Sequence, residues 1–185
     1  MQSALVEQAR SGDEEAFASL ARAAGDRLLA IAYRILRDLG LAEDAVQQTL
    51  VLAWRELPAL RDVDSFDAWL HRLLVNACYR EARRSRRWAA NVRVLQVEPP
   101  SATDEYAAVV HRDQLERGFR RLPPEQRAVL VFHHYLGLTL PEVADQLGVP
   151  LGTVKSRLHY ATTAIRAAIE ADQRTLTEPS AERLA

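Results

Sequence analysis

Lys155, Ser156, Arg157 and His159 fall within nine residues of Leu151, on a stretch that opens Leu151-Gly152-Thr153-Val154. An ammonium, a hydroxyl, a guanidinium and an imidazole so close together suit hydrogen bonding to base edges and phosphates. The residues before them read as a helix-turn-helix. Thr139, with Glu142 three residues on, makes a capping box. Val143 and Leu147 face one core, Gly148 ends the first helix, and Pro150 stands where the next begins. Val154 and Leu158 then pack inward. The polar set is left facing out on the N-terminal half of the second helix, the part that enters a major groove. A plain helical hairpin with a charged outer face shares parts of this pattern; cap, turn glycine and polar front together favour DNA.

A second set is basic. Arg80, Arg83, Arg84, Arg86 and Arg87 stand against a single Glu81, in a chain whose formal net charge is −1. Arg72 and Asn76 lie upstream, and Trp69, Tyr79 and Trp88 are aromatic neighbours. Guanidinium groups track phosphates, while aromatic and amide side chains hold unstacked bases. Arginines at a helix C-terminus also suit the macrodipole, but a DNA-reading motif in the same chain favours nucleic acid.

A third set lies on the helix expected from about Ala42 to Leu57. Asp44, Gln47, Leu50 and Trp54 recur at steps of three or four and share a face. Val46, Leu50, Ala53 and Leu57 form an adjoining one. The pair covers more circumference than a core stripe needs, which suits docking to another protein with Trp54 as anchor. Trp54 as plain core fits the same periodicity equally well.

These sets must be positioned by helices, because strand signals are almost absent and apolar residues step by three or four. From Asp13, an N-cap, the apolar positions run through Phe17, Leu20, Leu28 and Ile35, with Gly25 a possible break. Arg37-Asp38-Leu39-Gly40 reads as a turn. Ser65 reads as the N-cap of a helix carrying Phe66, Trp69, Leu70, Leu73, Leu74 and Ala77. Regular signal fades after Trp88, and the proline-bearing stretch from Glu98 to Glu105 has linker composition. The expected architecture is all-α, with two small helical domains. Residues 1–92 form the first, 93–108 a flexible linker, 109–172 the second and 173–185 a frayed tail.

The composition also excludes things. The 185 residues are 48% hydrophobic and hold one cysteine, Cys78, so neither an intramolecular disulfide nor a cysteine zinc cage is available. Cys78 reads as a buried, inert thiol. His133 and His134 are adjacent and should point away from each other on a helix, which argues against a metal site. His71 and His111 have no evident partner. No cofactor, catalytic pair, signal peptide or membrane span is indicated, so a cytoplasmic protein is expected.

The order of the three sets carries a resemblance. From about Asp13 to Ala168 the chain resembles the extracytoplasmic-function (group IV) sigma factors of bacterial RNA polymerase. The matching stretches are Ala42 to Gln48, Phe66 to Cys78, Leu122-Pro123-Pro124-Glu125-Gln126-Arg127, and Leu147 to Leu158. The resemblance implies a sigma-two domain, a linker and a sigma-four domain, and three partners: core polymerase through its beta-prime clamp and beta flap, promoter DNA, and an anti-sigma factor. Asp44, Gln47, Gln48, Leu50 and Trp54 would meet the clamp. Leu60, Leu73 and Asn76 would hold a base extruded from the minus-ten element, beside Arg72 and the arginines from Arg80 to Arg87. Lys155, Ser156, Arg157, His159 and Tyr160 would read the minus-thirty-five element, with Thr153 near a phosphate. Tyr160 stands where the family commonly has arginine, and Gln48 where it has an acid. The rival expectation is a stand-alone helix-turn-helix regulator, which would carry a receiver or ligand domain of alternating strands and helices. A metal-dependent nuclease built on His133 and His134 lacks ligand spacing.

Overall fold

The computed structural model describes residues 2–91 and 116–177, and every regular element among them is helical. In chain order these are α1 (Gln2–Arg10), α2 (Glu14–Leu36), α3 (Leu39–Glu56), two short 3-10 turns (Leu57–Ala59 and Val63–Ser65) and α4 (Phe66–Asn91). After the gap come α5 (residues 116–121), α6 (Pro124–Leu130) running into a π turn (Val131–Tyr135), α7 (Leu140–Leu147) and α8 (Leu151–Thr177). The all-α expectation holds. The linker expected at 93–108, and His111, lie outside the described residues.

Local chemistry sets the boundaries. The Asp13 carboxylate accepts from the backbone N–H groups of Glu15 and Ala16 and starts α2. Gly25 does not interrupt that helix, since the packing of Leu20, Ala24, Leu28 and Ile31 on either side outweighs one weak helix former. The turn expected over Arg37–Gly40 is tighter: Arg37 takes a left-handed conformation (φ 59°), and Asp38 at once caps α3 through the Leu41 N–H at 2.9 Å. Asp62 caps the 3-10 turn that leads into α4; its carboxylate accepts from the Asp64 N–H and from the hydroxyl of Ser65, the residue immediately before α4. α1 escaped the periodicity because it is short, yet Val6 and Ala9 are buried on it.

The helices α1 to α4 form a bundle around Val6, Leu28, Ile31, Ile35, Leu57, Leu70 and Leu74, all fully buried. The buried apolar cluster continues without a break into Val129, Phe132, Val143 and Val154 of the C-terminal part, because α6 and α7 pack on α2 and α4. The two halves thus share one core across the boundary that composition suggests. A smaller cluster of Leu122, Leu130 and Ala161 holds α6 to α8.

Candidate nucleic-acid interface

The helix-turn-helix is built as its residues dictate. The Thr139 hydroxyl accepts from the Glu142 N–H, and the Glu142 carboxylate accepts from the Thr139 N–H at 2.7 Å. The Thr139 hydroxyl lies 2.7 Å from the same carboxylate and donates to it, and this bond, then the one from the Thr139 N–H, holds the Glu142 carboxyl below its ordinary range. Gly148 ends α7 at φ 64°, a left-handed conformation that a side chain would strain. Val143 and Val154 are fully buried and fix the angle of α8. Lys155, Ser156, His159 and Tyr160 are left exposed along one side, with Thr153 half-buried at the N-terminal turn. The Tyr160 and His159 rings meet edge to face at 5.8 Å. Arg157 departs from the outward set: it is half-buried, with one guanidinium nitrogen shut from solvent and unpartnered.

On α4 the apolar residues Leu70, Leu74, Ala77 and Cys78 face the core, and burial pushes the Cys78 thiol up to about 12. An inert thiol is the result. Asn76, Arg80, Arg83, Arg84, Arg86 and Arg87 are exposed, and Trp88 is 69% exposed. Leu60 and Leu73 are half-buried and pack against the same core. Arg72 is differently engaged. Its Nη2 donates to the Asp145 carbonyl at 2.6 Å and its Nε to the Gln146 carbonyl at 3.4 Å, at the C-terminal end of α7.

On α3 the expected docking set divides. Gln47 is exposed; Asp44, Gln48, Leu50 and Trp54 are half-buried. Trp54 stacks obliquely on Phe17 of α2, with ring centroids 5.0 Å apart. Gln48 donates to Glu81, a carboxylate only 2% exposed on α4, and Arg84 reaches both Glu81 at 3.5 Å and Asp44 at 3.9 Å. This chain of polar contacts joins the α3 set to the basic end of α4. The most open apolar residues on α3 are Leu39 and Val51, 54% and 55% exposed. With Glu43 and Gln47 between them they make a stripe at steps of four, missed in the sequence because neither belongs to the Asp44–Trp54 face.

His133 and His134 do not point apart as an α-helix requires; their rings lie 4.7 Å apart. They sit in the wide π turn, which narrows the angle between successive side chains. His133 Nδ1 is engaged with the Leu138 carbonyl at 2.7 Å, and no group of three or more histidine, cysteine or carboxylate side chains placed to hold a metal ion occurs among the described residues.

Known proteins share this arrangement. The Sigma-70 region 2 family matches residues 20–88, and the Sigma-70, region 4 family matches residues 112–164. The ECF RNA polymerase sigma factor SigL of Mycobacterium tuberculosis is 34% identical over 86% of this chain and 94% of its own length. Among solved structures, CnrH in complex with the cytosolic domain of CnrY superposes with a TM-score of 0.62 at 28% identity, covering 92% of this chain and 98% of that one. RpoE of Bartonella quintana, solved with the anti-sigma factor NepR, shares the fold at 24% identity, with a TM-score of 0.59 over 80% of this chain and 92% of that one. Capped helix-turn-helix, basic α4 and α3 stripe, in this order and with these relatives, mean that the chain belongs to the extracytoplasmic-function sigma factors of bacterial RNA polymerase.

Proposed function

We propose that this sigma factor meets the beta-prime clamp of core polymerase through α3, handles the minus-ten element with α4, and reads the minus-thirty-five element with α8. Residues 1–92 serve as the sigma-two domain and residues 109–172 as the sigma-four domain, whose contact on core is the beta flap. The observation that carries the reading is the exposed row Lys155, Ser156, His159 and Tyr160 on a helix set by the Gly148 turn, in one chain with the arginines of α4. The row supplies donors to base edges, and the arginines neutralise backbone phosphates. Asp44, Gln47, Gln48, Leu50 and Trp54, extended by Val51 and Leu39, make the core contact. Leu60, Leu73 and Asn76 receive an unstacked base beside Arg72.

The chain does no covalent chemistry; its work is binding, in the cytoplasm where polymerase acts. An anti-sigma factor regulates it, as RpoE of B. quintana was solved with NepR. The stand-alone regulator is disfavoured because no strand–helix receiver pattern occurs among the described residues. Run-off transcription with purified core enzyme separates the two. A sigma factor yields promoter-specific transcripts only with core, whereas a stand-alone regulator shifts duplex DNA by itself.

A further inference from the structure

A cleft of about 470 Å³ lies open between α2, α5, the π turn and α8. Its walls are apolar: Phe119 of α5, Leu130 at the end of α6, Val131 of the π turn and Ile165 of α8. Gly118 lets α5 lie close on α8, since a Cβ there would stand 3.3 Å from the Ala168 Cβ. A second cleft of about 490 Å³ shares Leu130, His134 and Ile165 with the first and continues along α8 to Ile169. Volumes of this size suit a small organic ligand.

One end of the first cleft is cationic. Arg34, on the last turn of α2, and Arg37, just after it, line the cleft beside a single carboxylate, Glu116. That carboxylate is shared: Arg37 pairs with it, and Arg120 Nε donates to it at 3.0 Å. Three guanidinium groups thus stand around one acid. Arg34 donates to the Ala30 carbonyl at 2.9 Å and lies over the Tyr135 ring. Arg37 Nε is shut from solvent without a partner. Burial holds the Arg37 guanidinium below its ordinary value, against the pull of Tyr33, and the nearby charges of Arg120 and Arg34 add to the effect. A further carboxylate relieves cations crowded in this way.

We infer that this cleft binds a small amphipathic carboxylate, its headgroup at Arg34 and Arg37 and its aliphatic chain along Leu130, Val131 and Ile165. The lining arginines exceed the lining acid by one, so a monoanion balances them. The rings decide for an aliphatic body. Arg34 covers Tyr135 at 3.9 Å and Arg37 stands over Phe119 at 5.7 Å, so an aromatic ligand would compete with both for a stacking face. The inference is independent of the promoter reading. It needs only that α2 and α8 flank one cleft, and a ligand touching both stabilises the fold by mass action.

The test is calorimetric titration of the full chain with sodium decanoate, kept below its micelle concentration. One saturable site is expected, and decanoate should raise the thermal midpoint. Decan-1-ol, with the same chain and no charge, should bind at least about tenfold more weakly. Acetate, with the charge and no chain, should give no measurable heat. Arg34→Gln should weaken decanoate about tenfold and leave decan-1-ol unchanged. Ile165→Trp fills the cleft from α8 and keeps both arginines; it should weaken both long-chain ligands alike, with helical content unchanged. Should Ile165→Trp not fold, Arg34→Gln against the two ligands decides alone. No decanoate binding, equal affinity for decanoate and decan-1-ol, or uptake that both variants leave unchanged would overturn the inference. Displacement of decanoate by inorganic phosphate at equal concentration would overturn it too, by assigning the arginines to a phosphate group.

Discussion

Trp54 of α3 rests on Phe17 of α2 with ring centroids 5.0 Å apart and planes 56° apart, so the residue expected to anchor a partner is also a strut of the bundle. Replacing it therefore removes two things at once. Trp54→Ala should lower unfolding free energy by about 2 kcal/mol, below the range for fully buried aromatics because the side chain is half-exposed. Urea titration measures this, and Trp54→Phe should recover most of it.

The open stripe on α3 offers a cleaner probe of docking. Val51→Asp puts a charge where the helix is already solvated, so the thermal midpoint should stay within a degree or two. Co-purification with core polymerase should fall at least about tenfold if Val51 enters the contact. Unchanged co-purification would remove Val51 from the docking face.

Gln48 and Glu81 make a separate prediction. Gln48→Ala strands a carboxylate that is 2% exposed, leaving Arg84 as its remaining partner. Stability should drop by about 1–3 kcal/mol, the cost of leaving a buried acceptor short. Glu81→Gln, which keeps a hydrogen-bonding group without the charge, should cost less when combined with Gln48→Ala than Gln48→Ala costs alone.

His71 gives the fold a pH dependence of definite sign. Burial first, then the charge of Arg27, holds its imidazole below the ordinary 6.5, against the opposing pull of Asp67 and Gln146. The released ring takes up a proton more readily than the packed one. Stability is therefore complete above about pH 6.5 and is lost as pH falls toward the depressed value. Urea midpoints measured from about pH 7 down to pH 5.5 should decline, and His71→Phe should flatten that part of the profile.

Thr139→Ala removes one half of the capping box. The loss should be about 1 kcal/mol, read from the thermal midpoint, with the exposed row of α8 untouched.

The sequence was most readable where local chemistry decides. Thr139, Glu142 and Gly148 specify their turn through hydrogen bonds within a few residues, and the structure repeats them. Asp13 as a cap and the burial of Cys78 were legible for the same reason. What stayed hidden depends on distant partners. The stack of Trp54 on Phe17, the buried Glu81 under Gln48, and Arg72 on the end of α7 each join residues far apart in the chain. Helical period cannot choose between a core face and a docking face when both are apolar, which is why Trp54 was ambiguous. The rings of His133 and His134 were misplaced because the π turn is not encoded in any three-or-four spacing.

The most direct measurement is run-off transcription by purified core polymerase and this chain over a randomised promoter library. The account predicts transcripts that depend on the chain and share two sequence blocks about 25 base pairs apart. Lys155→Glu should erase selection at the upstream block, and Asn76→Ala should impair opening at the downstream one, both with core binding intact. A chain that yields no transcripts of its own with core enzyme, or that fails to associate with it in gentle salt, would contradict the account.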